Sequence, residues 1–278
     1  MPEFYLVEKQ PGLWVGEFSH FCQAGLRHGF STRLGGVSEG PFRSMNLGSR
    51  TADNPENVQE NRRRFCRAIG VNPATLVTGR QVHGSNIGII TVEDVPPGGG
   101  AYGPPEQGTD ALITASPAVS LMLLFADCVP VILYDPINRA VGIVHAGWRG
   151  SVAKLAEKTL LKMRQTFGSD LSRCLAGIGP SIGPCCYEVD EAVIRPLRKN
   201  FAEWERFVMP RAEKWLLNLW EVNRVQLVEA GVPCANIAVS KICTACNTAL
   251  FYSHRRENAL TGRHGALVSL DKMDENTY

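Results

Sequence analysis

The chain has 278 residues, of which 44% are hydrophobic, and its formal net charge is +2. A nearly balanced charge without a dense Lys/Arg tract argues against a nucleic-acid partner. The most apolar run, 119–134, is interrupted by Asp127 and Cys128, which argues against a membrane span. The length fits one domain over 1–278, and the lack of an apolar leader at the start predicts a cytoplasmic protein.

The predicted elements alternate between helices and short apolar strands. In chain order we expect a helix at 54–69, strands at 87–92, 111–114, 119–125, 129–134 and 140–145, a helix from about 151 to 167, a strand at 175–178, a helix at 213–230, and strands at 237–240, 250–253 and 266–270. Interleaved helices and strands predict an α/β protein. Strand pairs with short connections predict a mixed sheet, because a parallel crossover needs a longer one.

The stretch PPGGGAYGPPEQG at 96–108 is rich in Gly and Pro. Such a composition excludes a regular helix or a central strand, so we predict a surface loop. A plain connector is one interpretation. The other is a lid, because the stretch lies between two segments that carry candidate site residues.

Nine cysteines without an export signal predict free thiols rather than a disulfide framework. Most of them fit buried, structural thiols. Cys243 and Cys246 form a CxxC, but no second CxxC accompanies it, and Cys185 and Cys186 are adjacent. The pattern therefore does not predict a four-cysteine zinc site.

Three segments place candidate metal ligands at strand ends. They are QVHG with His83, FADCVP with Cys128, and IVHAGWRG with His145. An Asp-Cys pair between two apolar strands is costly to bury without a partner, and strand-end loops are where α/β proteins assemble their sites. Two imidazoles and one thiolate suit Zn2+ with a fourth position left open. The separations are too long for a local motif, so only the fold can bring the three together.

The turn after His145 is a candidate anion site. Gly150 and Ser151 are predicted to open a helix, whose free N–H groups and dipole favour an anion. Arg149 could add a bidentate contact, although an ordinary surface arginine explains the residue equally well. In the loop HGFSTRLGGVS and in SMNLG, Arg33 and Asn46 look like turn residues from the sequence alone.

Taken together, these motifs resemble the laccase-domain family. This family is also described as multicopper polyphenol oxidase-like or YfiH-type, and as a purine nucleoside phosphorylase family. The resemblance rests on QVHG, ADC, HAGWRG, HGFSTRLGGVS, SMNLG, GPSIGPCCYEV and ICTACNTALFYSHRRENALTGRHGALV, in the expected order over about 20–271.

The resemblance implies a three-layer α/β/α fold with a zinc site on His83, Cys128 and His145. The activity that it implies is phosphorolysis of adenosine, inosine and 5′-methylthioadenosine, with adenosine deamination as a companion activity. It also implies that Arg33 and Asn46 line the substrate site. Two positions depart from the family's pattern: Ala245 replaces an aromatic residue, and His254 replaces a tyrosine.

For the mechanism, the sequence suggests that zinc activates water for deamination and that Arg149, with the helix start at Ser151, holds phosphate. Arg33 is the second candidate for phosphate. Asp127 or Asp110 is the candidate proton carrier, so the predicted catalytic set is Cys128, Asp127 and Arg149.

Three alternatives remain open at this point. Cys128 could be the nucleophile of an amide hydrolase, activated by His83 or His145, in the peptidoglycan precursor editing to which some family members have been tied. Cu2+ could replace Zn2+ in a phenol oxidase, but two His and one Cys are too few ligands for a multicopper centre. The third alternative is a binding protein without catalysis.

Overall fold

Two mixed β-sheets form the centre of the structure, a computed structural model that describes residues 3–95, 101–102 and 108–271. The described strands, in chain order, are β1 (Phe4–Gln10), β2 (Leu13–Phe18), β3 (Arg27–Ser31), β4 (Leu76–Thr78), β5 (Ile87–Ile89), β6 (Ala101–Tyr102), β7 (Ala111–Thr114), β8 (Ser120–Phe125), β9 (Val129–Asp135), β10 (Ala140–Ala146), β11 (Leu175–Ile178), β12 (Glu188–Val189), β13 (Val208–Arg211), β14 (Lys214–Leu217), β15 (Ile237–Val239) and β16 (His264–Ser269).

The first sheet has the order β1-β2-β3-β16-β8-β4-β6, and the second has the order β15-β11-β9-β10-β7-β5. A small third sheet has the order β12-β14-β13. The predicted loop at 96–108 lies outside the described residues apart from Gly108 and from β6, which pairs in parallel with β4 at the edge of the first sheet.

The described helices are α1 (Ser19–Gln23), α2 (Pro55–Ile69), α3 (Trp148–Val152), α4 (Leu155–Phe167), α5 (Glu191–Asn200) and α6 (Leu219–Glu229). The side chain of Asn54 caps α2 by accepting from the N–H of Glu56, and Gly70 ends the helix in a left-handed conformation. Among the described helices, none combines the length and the apolar character needed to cross a bilayer.

Alternating burial along the strands produces the layers. On β8, Leu121 and Leu123 pack in the core between the two large sheets, whereas Met122 packs in the core beneath α2. On β9, Ile132 packs between the sheets, and Val131 packs in the core that contains α4 and α6.

The predicted α/β class with mixed strand directions is confirmed. The strands are divided between two large sheets, however, so the helical layers enclose two stacked sheets where one was expected. Strands that are apolar on both faces need cover on both sides, and the second sheet supplies one of the two covers for the first.

Several predicted elements have different bounds in the structure. The helix expected at 151–167 begins at Trp148 and is broken at Lys154, whose φ is 58°. The helix expected at 213–230 begins only at Leu219, because Asn218 caps it and the preceding residues form β14.

The strand expected at 250–253 is wrong. These residues are irregular, and they are apolar because Phe251 and Tyr252 are fully buried in a loop. The β1–β2 hairpin, β3, α5 and the third sheet were not predicted from the sequence.

Candidate metal and substrate site

The candidate site lies where the chain passes from the first sheet to the second. His83 is in the connection from β4 to β5, and Cys128 is in the connection from β8 to β9; both connections join the two sheets. His145 is near the end of β10, paired with Pro130 of β9. Three segments that are distant in sequence therefore meet because two crossings between the sheets lie side by side.

The ligand atoms of His83, Cys128 and His145 all lie within 4.8 Å of one another. The two imidazole rings are 4.9 Å apart between centroids. His145 is buried, Cys128 is half-buried and His83 is exposed, so the group opens to solvent on one side. Two nitrogens and one sulfur at this spacing fit a tetrahedral ion with one open position.

Asp110, at the end of the loop before β7, holds two of these side chains in place. Its Oδ1 accepts from Nδ1 of His145 at 2.8 Å, which leaves Nε2 of that ring as the ligand atom. The same carboxylate accepts backbone N–H bonds from Val82 at 3.2 Å, His83 at 2.9 Å and Gly84 at 2.7 Å. Asp110 is therefore a positioning residue, with its lone pairs occupied, rather than the proton carrier considered from the sequence.

Charges in the group favour a thiolate beside an imidazolium when no ion is bound. Burial alone would raise the pKa of Cys128, but the charge of His145 and hydrogen bonds from both histidines lower it to about 6. Burial alone would lower the pKa of His145, but the charge of Cys128 and the bond to Asp110 raise it. An anionic sulfur is the form that a metal ion binds.

The backbone around the site is unusual in two places. His83 has a φ of 59° and Asp127 has a φ of 86°, a region that non-glycine residues rarely adopt. The N–H bonds to Asp110 stabilise the conformation of His83. The conformation of Asp127 is stabilised by its own side chain, which accepts from Oγ1 of Thr244 at 2.7 Å and from the N–H of Arg255 at 2.7 Å.

Gln81 and Gly147 complete the local packing. The side-chain amide of Gln81 bonds both backbone groups of Leu124, donating at 2.7 Å and accepting at 2.9 Å, and so joins the QVHG segment to the end of β8. A Cβ on Gly147 would lie 3.1 Å from both Sγ of Cys128 and Cδ2 of His83. An alanine here would require the side chains of Cys128 and His83 to shift by a few tenths of an ångström.

A cavity of about 460 Å³ opens over the three ligands. Four arginines and a single carboxylate are among the described residues of its wall, which are Gly48, Ser49, Arg50, Thr51, Gly79, Arg80, Gln81, His83, Leu124, Ala126, Asp127, Cys128, His145, Trp148, Ile182, Tyr187, His254, Arg255 and Arg263. The volume falls in the range of small-molecule sites. The excess of arginine favours an anionic or phosphorylated guest.

The cavity does not include Arg33, Asn46 or Arg149 among its lining residues. The guanidinium of Arg33 bonds the carbonyl of Thr248 and the carboxylate of Glu257, each at 2.8 Å, and lines a separate surface depression. These hydrogen bonds occupy the guanidinium, which links the loop of Arg33 to the loop that carries Thr248 and Glu257.

Asn46 and Arg149 also have structural contacts. Asn46 is fully buried and accepts from the N–H of Gly48 at 3.0 Å and of Arg263 at 2.8 Å. It therefore fixes the backbone of two residues in the cavity wall without lining the cavity itself.

Arg149 is exposed, with its guanidinium over the ring of Trp148. Ser151 lies inside α3, and its hydroxyl bonds the carbonyl of Ala146 and the amide of Asn223.

Most of the lining arginines carry no clear signal in the sequence. Arg50, Arg80 and Arg263 stand apart in sequence with no shared spacing, and Arg255 is next to a second arginine, Arg256, in a short basic pair. Each of them is adjacent in sequence to a glycine or to another site residue. An arginine next to a glycine or a polar residue is too common in protein sequences to predict a binding site.

Four cysteines that the sequence analysis kept apart also meet in the structure. The sulfur atoms of Cys185, Cys186, Cys243 and Cys246 all lie within 4.8 Å of one another. The sequence pattern does not predict this proximity, because the fold and not a second CxxC brings the four sulfurs together.

A known protein family matches most of the chain. The profile of the family described as multi-copper polyphenol oxidoreductase laccase matches residues 27–271. The chain belongs to this family. The resemblance drawn from the sequence motifs is thus confirmed.

Relatives within the laccase family carry a second description. Purine nucleoside phosphorylase YlmD of Geobacillus stearothermophilus is 39% identical over 272 residues, which cover 96% of this chain and 97% of that protein. Purine nucleoside phosphorylase YfiH of Escherichia coli is 32% identical over 240 residues, which cover 86% of this chain and 92% of that protein. These names support an enzyme.

A solved structure in this family has the same fold. The crystal structure of hypothetical protein YfiH from Bacillus licheniformis superposes with a TM-score of 0.87 at 34% identity, covering 96% of this chain and 99% of that chain.

Proposed function

We propose that this member of the laccase family is a zinc-dependent purine nucleoside phosphorylase. Its substrates are adenosine, inosine and 5′-methylthioadenosine, each used with inorganic phosphate. The observation that carries the proposal is the position of His83, Cys128 and His145 at the wall of an arginine-lined cavity. The names of the relatives supply the reaction class.

In this proposal the ion is held by one Nε2, one further imidazole nitrogen and one thiolate. The donor set fits Zn2+, and Cu2+ is the competing ion for the same soft and borderline donors. When bound, zinc supplies a Lewis acid that lowers the pKa of water, which is the chemistry that adenosine deamination needs. Among the described residues this group has three ligands, fewer than a multicopper oxidase uses.

Phosphate binding falls to the lining arginines in place of Arg149 and Arg33. Arg263 is half-buried, and its Nη1 is oriented by the carbonyls of Thr261 and Gly262 at 2.9 and 2.8 Å. Arg80 and Arg255 are exposed at the same cavity. A guanidinium group can donate two parallel hydrogen bonds to two phosphate oxygens, which would orient the attacking phosphate toward C1′ of the ribose.

The base lies in this proposal against the remaining wall. Trp148 and Tyr187 offer aromatic faces, and Ile182 and Leu124 offer apolar contact. Asp127 is the single carboxylate among the described lining residues, so it is the candidate to hold a proton for the leaving purine.

The proposed activity is tested by incubating the purified protein with inosine and phosphate and measuring hypoxanthine and ribose 1-phosphate. We expect both products in equal amounts, and neither without phosphate. Adenosine is then assayed in the same way, with inosine formation as the separate readout for deamination. Failure to form ribose 1-phosphate at high enzyme concentration would reject the phosphorylase.

A thiol hydrolase is the second candidate, because the lowered pKa of Cys128 also suits a nucleophile. A sulfur bound to zinc is a poor free nucleophile, so the two functions compete for one atom. Alkylation of Cys128 before and after chelation separates them. Protection by the metal, with loss of phosphorolysis on chelation, supports the phosphorylase; an active metal-free enzyme inactivated by alkylation supports the hydrolase.

A further inference from the structure

The four-cysteine cluster lies outside the cavity and is formed by two turns. The first turn, GPCC, carries Cys185 and Cys186 between β11 and β12. The second, CTAC, carries Cys243 and Cys246 after β15. Backbone contacts join the turns: Ser181 forms a parallel bridge with Cys243, and the N–H of Thr244 donates to Ser181 at 3.0 Å.

The distances between the sulfur atoms fit a single tetrahedral ion. Sγ of Cys246 is 3.5 Å from Sγ of Cys185 and 3.4 Å from Sγ of Cys186. Four thiolates around zinc at about 2.3 Å place their sulfurs roughly 3.8 Å apart. These two pairs would separate by only a few tenths of an ångström around an ion, and all four sulfurs already lie within 4.8 Å of one another.

Ordinary packing does not account for the cluster. Free cysteines usually collect in apolar cores, but Cys185 and Cys246 are exposed, Cys186 is half-buried and only Cys243 is buried. The N–H of Gly183 donates to Sγ of Cys243 at 3.2 Å. A backbone donor aimed at a sulfur stabilises the anionic form that a metal binds.

We propose that Cys185, Cys186, Cys243 and Cys246 bind one Zn2+ ion as a structural site, separate from the cavity. All four ligands are soft thiolates, which select zinc over magnesium or calcium. Four protein ligands leave no open position, as in structural zinc sites. The ion would join the GPCC turn to the CTAC turn in the way that a disulfide joins two loops.

The joined turns support the wall of the cavity. The N–H of Ile182 donates to the carbonyl of Asp127 at 2.9 Å, and Thr244, inside the CTAC turn, donates its hydroxyl to the carboxylate of Asp127 at 2.7 Å. Both bonds hold the left-handed residue that precedes Cys128. Zinc at the four cysteines therefore stabilises the backbone beside the cavity without contacting a substrate.

The test is the zinc content of the purified protein, measured by elemental analysis against protein concentration. We expect the His83→Ala/His145→Ala variant to retain one zinc per chain, and its combination with Cys243→Ser/Cys246→Ser to retain none. Cys234→Ser, which removes an exposed cysteine outside the cluster, is the matched control and keeps the zinc content of its parent. Loss of all zinc from His83→Ala/His145→Ala alone would overturn the proposal.

Cobalt substitution tests the four-cysteine site without a cysteine variant, in case such a variant does not fold. Co2+ is loaded into the metal-free His83→Ala/His145→Ala protein, and the absorption of a tetrahedral thiolate site is expected. The intact mass of the metal-free protein, unreduced and reduced, is compared alongside. A mass difference that reports a disulfide among the four cysteines of freshly isolated protein, with no cobalt spectrum, would contradict the zinc site.

Discussion

A single carboxylate, Asp110, controls the geometry of the candidate metal group. It accepts from Nδ1 of His145 and from the N–H of His83, so it positions two proposed ligands at once. An asparagine at this position offers one acceptor where the aspartate offers two, and its NH2 group faces N–H donors. Partners of this kind are worth about 10–100-fold in metal affinity.

We expect Asp110→Asn to lower the zinc affinity of the cavity site by about 10–100-fold, measured by competition with a chromophoric chelator. Asp135→Asn is the control, because Asp135 is also fully buried and accepts from the N–H groups of Ile137 and Asn138. Both variants should lose stability. Equal zinc affinity in the two variants would show that Asp110 has no part in metal binding.

The lowered pKa of Cys128 gives a prediction for reactivity in the metal-free protein. A thiolate persists down to about pH 6 because its pKa falls from 9.0 to about 6. We expect alkylation of Cys128 to be fast at pH 7 and to slow as the pH drops through 6. In His145→Ala, the largest charge that lowers this pKa is gone, so the midpoint should move upward; an unchanged midpoint would contradict the assigned cause.

Arg80 is the most direct test of phosphate binding. Removing one charged hydrogen-bond donor costs about 1.5–3 kcal/mol, so Arg80→Ala should raise the KM for phosphate about 10-fold or more with a smaller change for the nucleoside. Arg198→Ala, an exposed arginine on α5 paired with Glu191, is the control. A larger rise in Arg149→Ala than in Arg80→Ala would restore the prediction made from the sequence.

At the scale of elements, the turn from β10 into α3 determines how closely the ligand segments approach. Gly147 caps α3 and faces the ligand group, whereas a Cβ at Gly150 would meet only ordinary contacts at 3.4 Å. We expect Gly147→Ala to reduce zinc binding at the cavity, measured as zinc per chain and as chelator competition. Gly150→Ala, in the same turn, should keep it. Loss in Gly150→Ala with retention in Gly147→Ala would contradict the steric account.

The elements that sequence patterns predict well are those with strong local determinants. The bounds of α2 followed from Asn54 and Gly70, and β7 to β10 followed from runs that are apolar on both faces. The β1–β2 hairpin has an exposed first strand, so its burial pattern gives little signal. The residues before α6 are apolar enough to continue its helical pattern, and their pairing with β12 and β13 is a tertiary effect that local sequence does not contain.

The candidate site was predictable only in part for a similar reason. His83, Cys128 and His145 stand in conspicuous motifs, and the crossings between the two sheets bring them together. The lining arginines come from three separate parts of the chain, with Arg255 and Arg263 in the same motif. Asn46 and Arg33 belong to recognisable motifs, but the contacts that use their side chains, such as the bond from the N–H of Arg263 to Asn46, exist only in the folded chain.

At the scale of the whole molecule, two buried histidines make stability depend on pH. Burial lowers the pKa of His28 from 6.5 to about 4, and burial also lowers the pKa of His264, to about 3. Since the folded pKa is the lower one, the unfolded chain takes up a proton first as the pH falls. The contribution of these two histidines to stability is therefore complete above pH 6.5 and is lost as the pH falls toward 4.

We expect the free energy of unfolding to fall by up to about 3 kcal/mol per buried histidine across that range, measured by urea denaturation. His264→Phe should flatten the pH dependence, because neither nitrogen of His264 has a hydrogen-bond partner among the described residues. His254→Gln, at an exposed position, should leave the slope unchanged. A slope that is identical in wild type and His264→Phe would contradict the assignment.

His83, Cys128 and His145 are proposed to hold one metal ion beside the arginine-lined cavity. Anomalous scattering from crystals of the zinc-containing protein, measured on both sides of the zinc absorption edge, locates the ion. We expect a zinc peak at about 2.0–2.3 Å from one nitrogen of each histidine and from the sulfur. Zinc peaks elsewhere in the molecule, with none among these three side chains, would contradict it.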